Sequence, residues 1–152
     1  MAYRRIMLAV DGSASSKRAT LEATRIAALA QASVLAVHVV DLKSLLASGE
    51  AYAQTLKGNK AGHIILAEAR DVLRSAGIAS EEELVETNGT GDDIASCLER
   101  CASRCAADLV VMGTHGRRGV NRLMHGSVAA RFLTFATRPV LVVRADNDEE
   151  SM

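Results

Sequence analysis

Five short apolar runs constrain this chain more than anything else in it: RIMLAV at 5–10, SVLAVHVVD at 33–41, EELVET at 82–87, DLVVMG at 108–113 and VLVVR at 140–144. Between them lie longer segments whose apolar residues recur every three or four positions, the period of a helix with one buried face. The second and fourth runs scarcely alternate with polar residues, which is how a strand reads when helices cover both of its faces. EELVET carries charged flanks and reads as a sheet edge. Strands that alternate with helices in this way form a parallel sheet, because each crossover returns the chain to the same end. The expectation is a three-layer, doubly wound α/β domain with five parallel strands and helices on both faces.

The helical segments agree with that expectation in detail. Ala19, Ala23, Ile26 and Ala30 share one face, small enough to sit close to a sheet. Ala61, Ile65, Ala69, Val72 and Ala76 do the same over 61–76, and Gly77 follows as a stop. Ile94, Cys97, Leu98, Cys101 and Cys105 form a third stripe, introduced by Asp92 and Asp93 at the positive end of the helix dipole. A metal or redox site on three thiols spaced by four is conceivable, but the core-facing stripe explains them better, with cysteine acting as a small hydrophobe. Val128, Phe132 and Phe135 make the fourth stripe. Residues 42–60, with Gly49, Gly58 and a polar middle, read as a loop excursion containing at most a helical turn. Pro139 precedes the last strand, where a missing N–H is tolerated.

At 152 residues and 49% hydrophobic composition, the chain has material for one core, assigned to 1–145, with a disordered acidic tail at 146–152. The 18 basic and 18 acidic residues balance, which argues against a nucleic-acid or membrane-surface partner. The opening MAYRRIMLAVDG has an apolar run too short for a signal core or a membrane span, so a cytoplasmic location is expected.

Ligands of such sheets gather beyond the carboxyl ends of the strands, where the strand order reverses. Two loops leave such ends here: DGS after the first strand, and the stretch from Gly113 to Ser127 after the fourth. Glycines at 113, 116, 119 and 126 let a ligand approach backbone amides without meeting a Cβ. Gly126 and Ser127 open a helix, whose free N–H groups favour an anion, and Arg117 and Arg118 add charge. A plain surface loop is the competing reading, and for Asp11 a turn aspartate competes with a ligand contact. The chain has no G-x-x-x-x-G-K-[ST] and no G-x-G-x-x-G after the first strand, which excludes a P-loop NTPase and a dinucleotide-binding enzyme. His38 reads as a satisfied core or near-core group, while His63 and His125 lack metal-ligand spacing.

The spacing Gly113-x2-Gly116-x9-Gly126-Ser127, with MLAVDGS near the start and LAVHVVD in the second strand, resembles the ATP-binding branch of the universal stress protein family over about residues 4–144. The resemblance implies a Rossmann-like, adenine nucleotide alpha hydrolase-like sheet of order 3-2-1-4-5. It also implies ATP as ligand, with Mg²⁺ or Mn²⁺ held chiefly by phosphates and water, and a homodimer formed through the final strand. By that resemblance Asp11 meets the ribose, and the backbone at Ala9 and Val39 flanks adenine. Met112, Gly113, His115, Gly116, Arg117, Gly119, Gly126, Ser127, Val128 and Ala129 surround the phosphates. The expected function is a nucleotide-sensitive dimeric stress-response module whose state a protein partner reads. The alternatives are a slow ATPase or nucleotide-dependent enzyme, for which only His115 offers a base, and a dimeric interaction protein that binds no nucleotide. A phospho-acceptor receiver domain does not fit, because the chain lacks an acidic pair after the first strand and an aspartate ending the third, where VETNG stands instead.

Overall fold

A computed structural model of the chain describes residues 3–42, 51–89, 91–114 and 127–145. Its elements in chain order are β1 (Arg5–Ala9), α1 (Ala14–Ala30), β2 (Ser33–Val40), α2 (Ala51–Ser75), β3 (Ser80–Glu86), α3 (Ile94–Arg104), β4 (Leu109–Gly113), α4 (Ser127–Phe135) and β5 (Val140–Val143). The five strands are all parallel and lie in the order β3-β2-β1-β4-β5.

Alternate residues of each inner strand feed two cores. Ile6 and Leu8 of β1 pack with Ala19, Ala23 and Ala27 of α1 and with Leu66 and Leu73 of α2. Met7, between them, faces Cys97, Leu98 and Cys101 of α3 and Phe132 of α4. Both sides of β1 are thus sealed, which is why its sequence shows no polar alternation. Phe132 is fully buried, and burial of such a side chain contributes about 1.5–3 kcal/mol.

Close packing at two glycines sets how near the helices come. A Cβ on Gly113 would stand 2.7 Å from the Ser15 carbonyl carbon and 2.8 Å from the Ser16 nitrogen, so the first turn of α1 lies directly on the end of β4. A Cβ on Gly62 would stand 2.5 Å from Leu84 Cδ1 and 2.7 Å from His38 Cδ2, which fixes α2 against β2 and β3.

Local signals set the helix ends. Ser13 caps α1 by accepting the Ser16 N–H at 3.2 Å, and Asp93 caps α3 by accepting the Ser96 N–H at 2.8 Å. Gly77, at φ +75°, stops α2 as expected: its N–H reaches the Arg74 carbonyl at 2.9 Å, and Ile78 N–H reaches back to Leu73 at 2.9 Å. Asp108 ties the start of β1 to β4, because its carboxylate accepts the Arg4 and Arg5 N–H groups at 2.9 and 3.1 Å.

Two sequence expectations need correction. Residues 51–60 belong to α2 rather than to a loop. Strong helix formers on both sides carry the helix through Gly58, whose cost of about 1 kcal/mol is too small to break a helix of 25 residues. The buried stripe of α2 runs through Gly62, Ile65, Leu66, Ala69 and Leu73, and Ala76 is exposed because the helix has already turned off the sheet at Ser75. The proposed tail, 146–152, and the excursion over 43–50 lie outside the described residues. Among the described residues no helix is long and apolar enough to cross a membrane.

Candidate functional site

β1 and β4 are neighbours, yet the helices that follow them go to opposite faces: α1 joins the core containing Ile6, and α4 the core containing Met7. The chain divides at this point, and a crevice opens beyond the carboxyl ends of the central strands.

That crevice is a cleft of about 240 Å³. It brings together Ala9 and Asp11 from the end of β1, Val39 from β2, Met112 and Gly113 from β4, and Val128 and Ala129 from the first turn of α4. Ser127 is the first residue of α4, immediately before them. His115, Gly116, Arg117, Gly119 and Gly126 lie outside the described residues.

Sequence reasoning did not anticipate other parts of the lining. Ile94 and Leu98 of α3 form part of the wall, so the stripe read as core also serves the cleft. Ser16, Val37, His38 and Thr114 contribute as well. The periodicity of α3 announced an apolar face without saying that its N-terminal end would stop short of full burial, and Ile94 is half-buried.

Asp11 serves the DGS turn: its Oδ1 accepts the Ser13 N–H at 2.9 Å, while its own N–H donates to Ser16 Oγ at 3.0 Å. Gly12 follows at φ +84°, a conformation that glycine adopts without a Cβ penalty. The turn reading of Asp11 is therefore observed, and the same turn sets Asp11 on the cleft lining. His38 is buried, and its Nδ1 donates to the Val10 carbonyl at 2.8 Å, as expected of a satisfied near-core group.

The wall of the cleft is braced by charge. The Asp93 carboxylate caps α3 and also accepts from Arg131 Nε of α4; the Ser96 N–H, and then Arg131, hold its carboxyl below the usual carboxylate range. Arg138 Nη1 bonds Glu99 Oε2 at 3.2 Å, a second link, from α3 to the segment between α4 and β5. Asp92 accepts both Arg100 guanidinium nitrogens, at 2.9 and 2.6 Å, together with the Asn88 N–H at 2.7 Å. Arg100 chiefly, with the Asn88 N–H, pulls the Asp92 carboxyl down to about 2. Ile94 and Leu98 are in this way held in register with Val128 and Ala129.

The thiols are part of the packing. Cys97 and Cys101 are buried, and hydrogen bonding to Cys101 together with burial pushes the Cys97 thiol well above its ordinary range. Among the described residues no three histidine, cysteine or carboxylate side chains converge as metal ligands.

Chemically, the lining is mostly apolar, with Asp11, Ser16, His38 and Thr114 as its polar side chains and the amino end of α4 at one side. Such a surface suits a flat apolar ring attached to a polar, anionic group.

Residues 2–144 match the sequence profile of the family described as Universal stress protein family. A universal stress protein of Methanocaldococcus jannaschii is 32% identical over 152 residues, covering 97% of this chain and 85% of the relative. Among solved structures, a protein from the universal stress protein family of Burkholderia pseudomallei is 32% identical, with a TM-score of 0.70, and the match covers 93% of this chain and 96% of that one. A universal stress protein in complex with cAMP is 29% identical with a TM-score of 0.72, over 96% of this chain and 100% of the other.

Proposed function

From the premise that this chain belongs to the universal stress protein family, we propose that its cleft binds an adenine nucleotide, ATP in the cell, and that occupancy sets the state of a cytoplasmic homodimeric regulatory module. The observation that carries the reading is the convergence of Ala9, Asp11, Val39, Met112, Gly113, Val128 and Ala129 on one mostly apolar cleft beside the amino end of a helix. The relative that binds cAMP supports adenine as the base.

In this reading the backbone at Ala9 and Val39 flanks adenine, and the Asp11 carboxylate accepts from the ribose hydroxyls. The loop residues His115, Gly116, Arg117, Gly119 and Gly126 meet the phosphates, together with Ser127 and the free N–H groups of α4. Mg²⁺ or Mn²⁺ is carried by the phosphates and water, since a small divalent ion keeps several waters.

Regulation is a better account than turnover. The two titratable groups on the described lining, Asp11 and His38, are each tied to local backbone. Hydrolysis needs a group that positions water; binding needs only a difference in affinity between two states.

The outer edge of β5 supports the proposed dimer. Pro139 and Val143 carbonyls accept the Val110 and Thr114 N–H groups, so residues 139, 141 and 143 turn their backbone to β4. By alternation, Val140 and Val142 turn theirs outward, on an apolar strand that a second copy extends.

The test is calorimetric titration of Mg·ATP into the wild type and a Gly116→Arg variant, with phosphate release measured on the same samples. Saturable binding that the variant loses, without turnover, is the expected result. Turnover lost together with binding would replace the regulatory reading with an enzyme, and no binding by the wild type would overturn the nucleotide reading.

A further inference from the structure

β1 and β2 separate at the cleft, and how they separate decides which backbone groups face it. Ala9 lies opposite Val37, and the Val10 N–H donates to the Val37 carbonyl at 2.9 Å. On the other side of β2, the Val40 carbonyl accepts the Thr87 N–H at 3.0 Å. Odd residues of β2 therefore turn their backbone to β1 and even ones to β3, which points the Val39 peptide groups toward β1. One more rung of the parallel ladder would carry the Val39 N–H to the Val10 carbonyl.

That carbonyl is held by His38. Its Nδ1 lies 2.8 Å from Val10 O, and because a carbonyl only accepts, the imidazole carries its proton at Nδ1. The ring is confined where it stands: α2 passes so close that even a methyl group on Gly62 would collide with His38 Cδ2. His38 is buried and lines the cleft beside Val39.

We propose that His38 is a positioning residue for base selection. By holding the Val10 carbonyl it ends the β1–β2 ladder one rung early and leaves the Val39 N–H and C=O facing the cleft as a donor beside an acceptor. That pair matches adenine, which offers N1 as acceptor and N6 as donor. It opposes guanine, which offers a donor at N1 and an acceptor at O6, so the wrong base leaves buried polar groups unpaired. The inference rests on the adenine-nucleotide reading and adds to it a reason for discrimination between purines.

The experiment compares Mg·ATP and Mg·GTP titrations of the wild type, His38→Leu and His38→Asn. The wild type should prefer ATP by at least about tenfold, the scale of one mismatched polar contact. His38→Leu should lose about tenfold of that preference, whereas His38→Asn, whose amide N–H stands near the Nδ1 position, should stay within about threefold of the wild type. An unchanged ATP-to-GTP ratio in folded His38→Leu, or an asparagine that restores nothing, would overturn the proposal. A wild type that binds neither nucleotide removes the adenine reading itself, and this proposal with it, before any variant is compared. Should His38→Leu fail to fold, amide hydrogen exchange in the ligand-free wild type decides. Val39 should exchange faster than Val37 and slow when ATP is added, and equal protection of the two without ligand would refute the assignment.

Discussion

The two edges of the sheet follow opposite rules. β3 places Glu81, Glu82 and Glu83 in sequence, and each meets an arginine: Arg5 at 3.0 Å, Arg70 at 3.7 Å and Arg104 at 2.6 Å. β5 consists of Val140, Leu141, Val142 and Val143, without a charge. Ion pairs as exposed as those on β3 contribute only about 0–1 kcal/mol each. Their effect is to keep another strand from docking, since a charged edge resists pairing that an apolar edge invites. This contrast between the edges is why the proposed dimer is assigned to β5.

The largest expected effect comes from breaking the open edge. Val142→Pro removes an outward N–H while leaving every bond to β4 in place, and it should weaken self-association about a hundredfold in sedimentation velocity. The monomer should keep its melting temperature within a few degrees. A dimer that survives this change uses another surface.

Next comes opening the closed edge. Glu81→Val with Glu83→Val, made in the Val142→Pro background, should restore concentration-dependent association at roughly a tenth of the wild-type affinity or better. If the protein stays monomeric, charge is not what protects β3.

Acid sharpens the comparison where the chain leaves β3, because the turn into α3 is also held by charge. The Asp92 carboxyl lies at about 2 in the folded protein, below its unfolded value of 3.8. Its stabilisation is therefore complete above pH 3.8 and disappears as pH falls toward 2. Asp92→Asn should cost about 1 kcal/mol near neutral pH, allowing for solvent screening at Arg100, and should flatten the stability loss in that acid window. Urea melts at pH 7 and pH 3 measure both; an unchanged acid slope would remove Asp92 from the account.

The smallest effect belongs to a single β3 pair. Arg104→Gln should change stability by less than about 0.5 kcal/mol in the same melts, and a loss above 2 kcal/mol would mean that the pair is structural rather than protective.

Much of the fold was legible because its signals are local. Continuous apolar runs required strands covered on both faces, and the glycine at 77 marked a helix end that the structure places there. The charged third run read correctly as an edge. What escaped depends on contacts across the fold. Gly58 reads as a break although the helix formers around it carry α2 through, and Gly62 is explained only by His38 and Leu84, which approach from other strands. Asp108 looked like the first residue of a strand, whereas its work is to hold the start of β1. Within the site, residues at strand ends were found because strand ends are visible in sequence. Ile94 and Leu98 were assigned to the core alone, and His38 to the core or its margin, since periodicity cannot distinguish a core face from the wall of a cleft that continues it.

The central claim, that this cleft is an adenine-nucleotide site, is tested most directly by following backbone amide resonances of ¹⁵N-labelled protein during titration with Mg·ATP. The account predicts saturable shifts concentrated at Val39, Met112, Gly113, Val128 and Ala129, with β3 and its edge unmoved. Saturable shifts confined to another surface, or none at millimolar ATP, would contradict it.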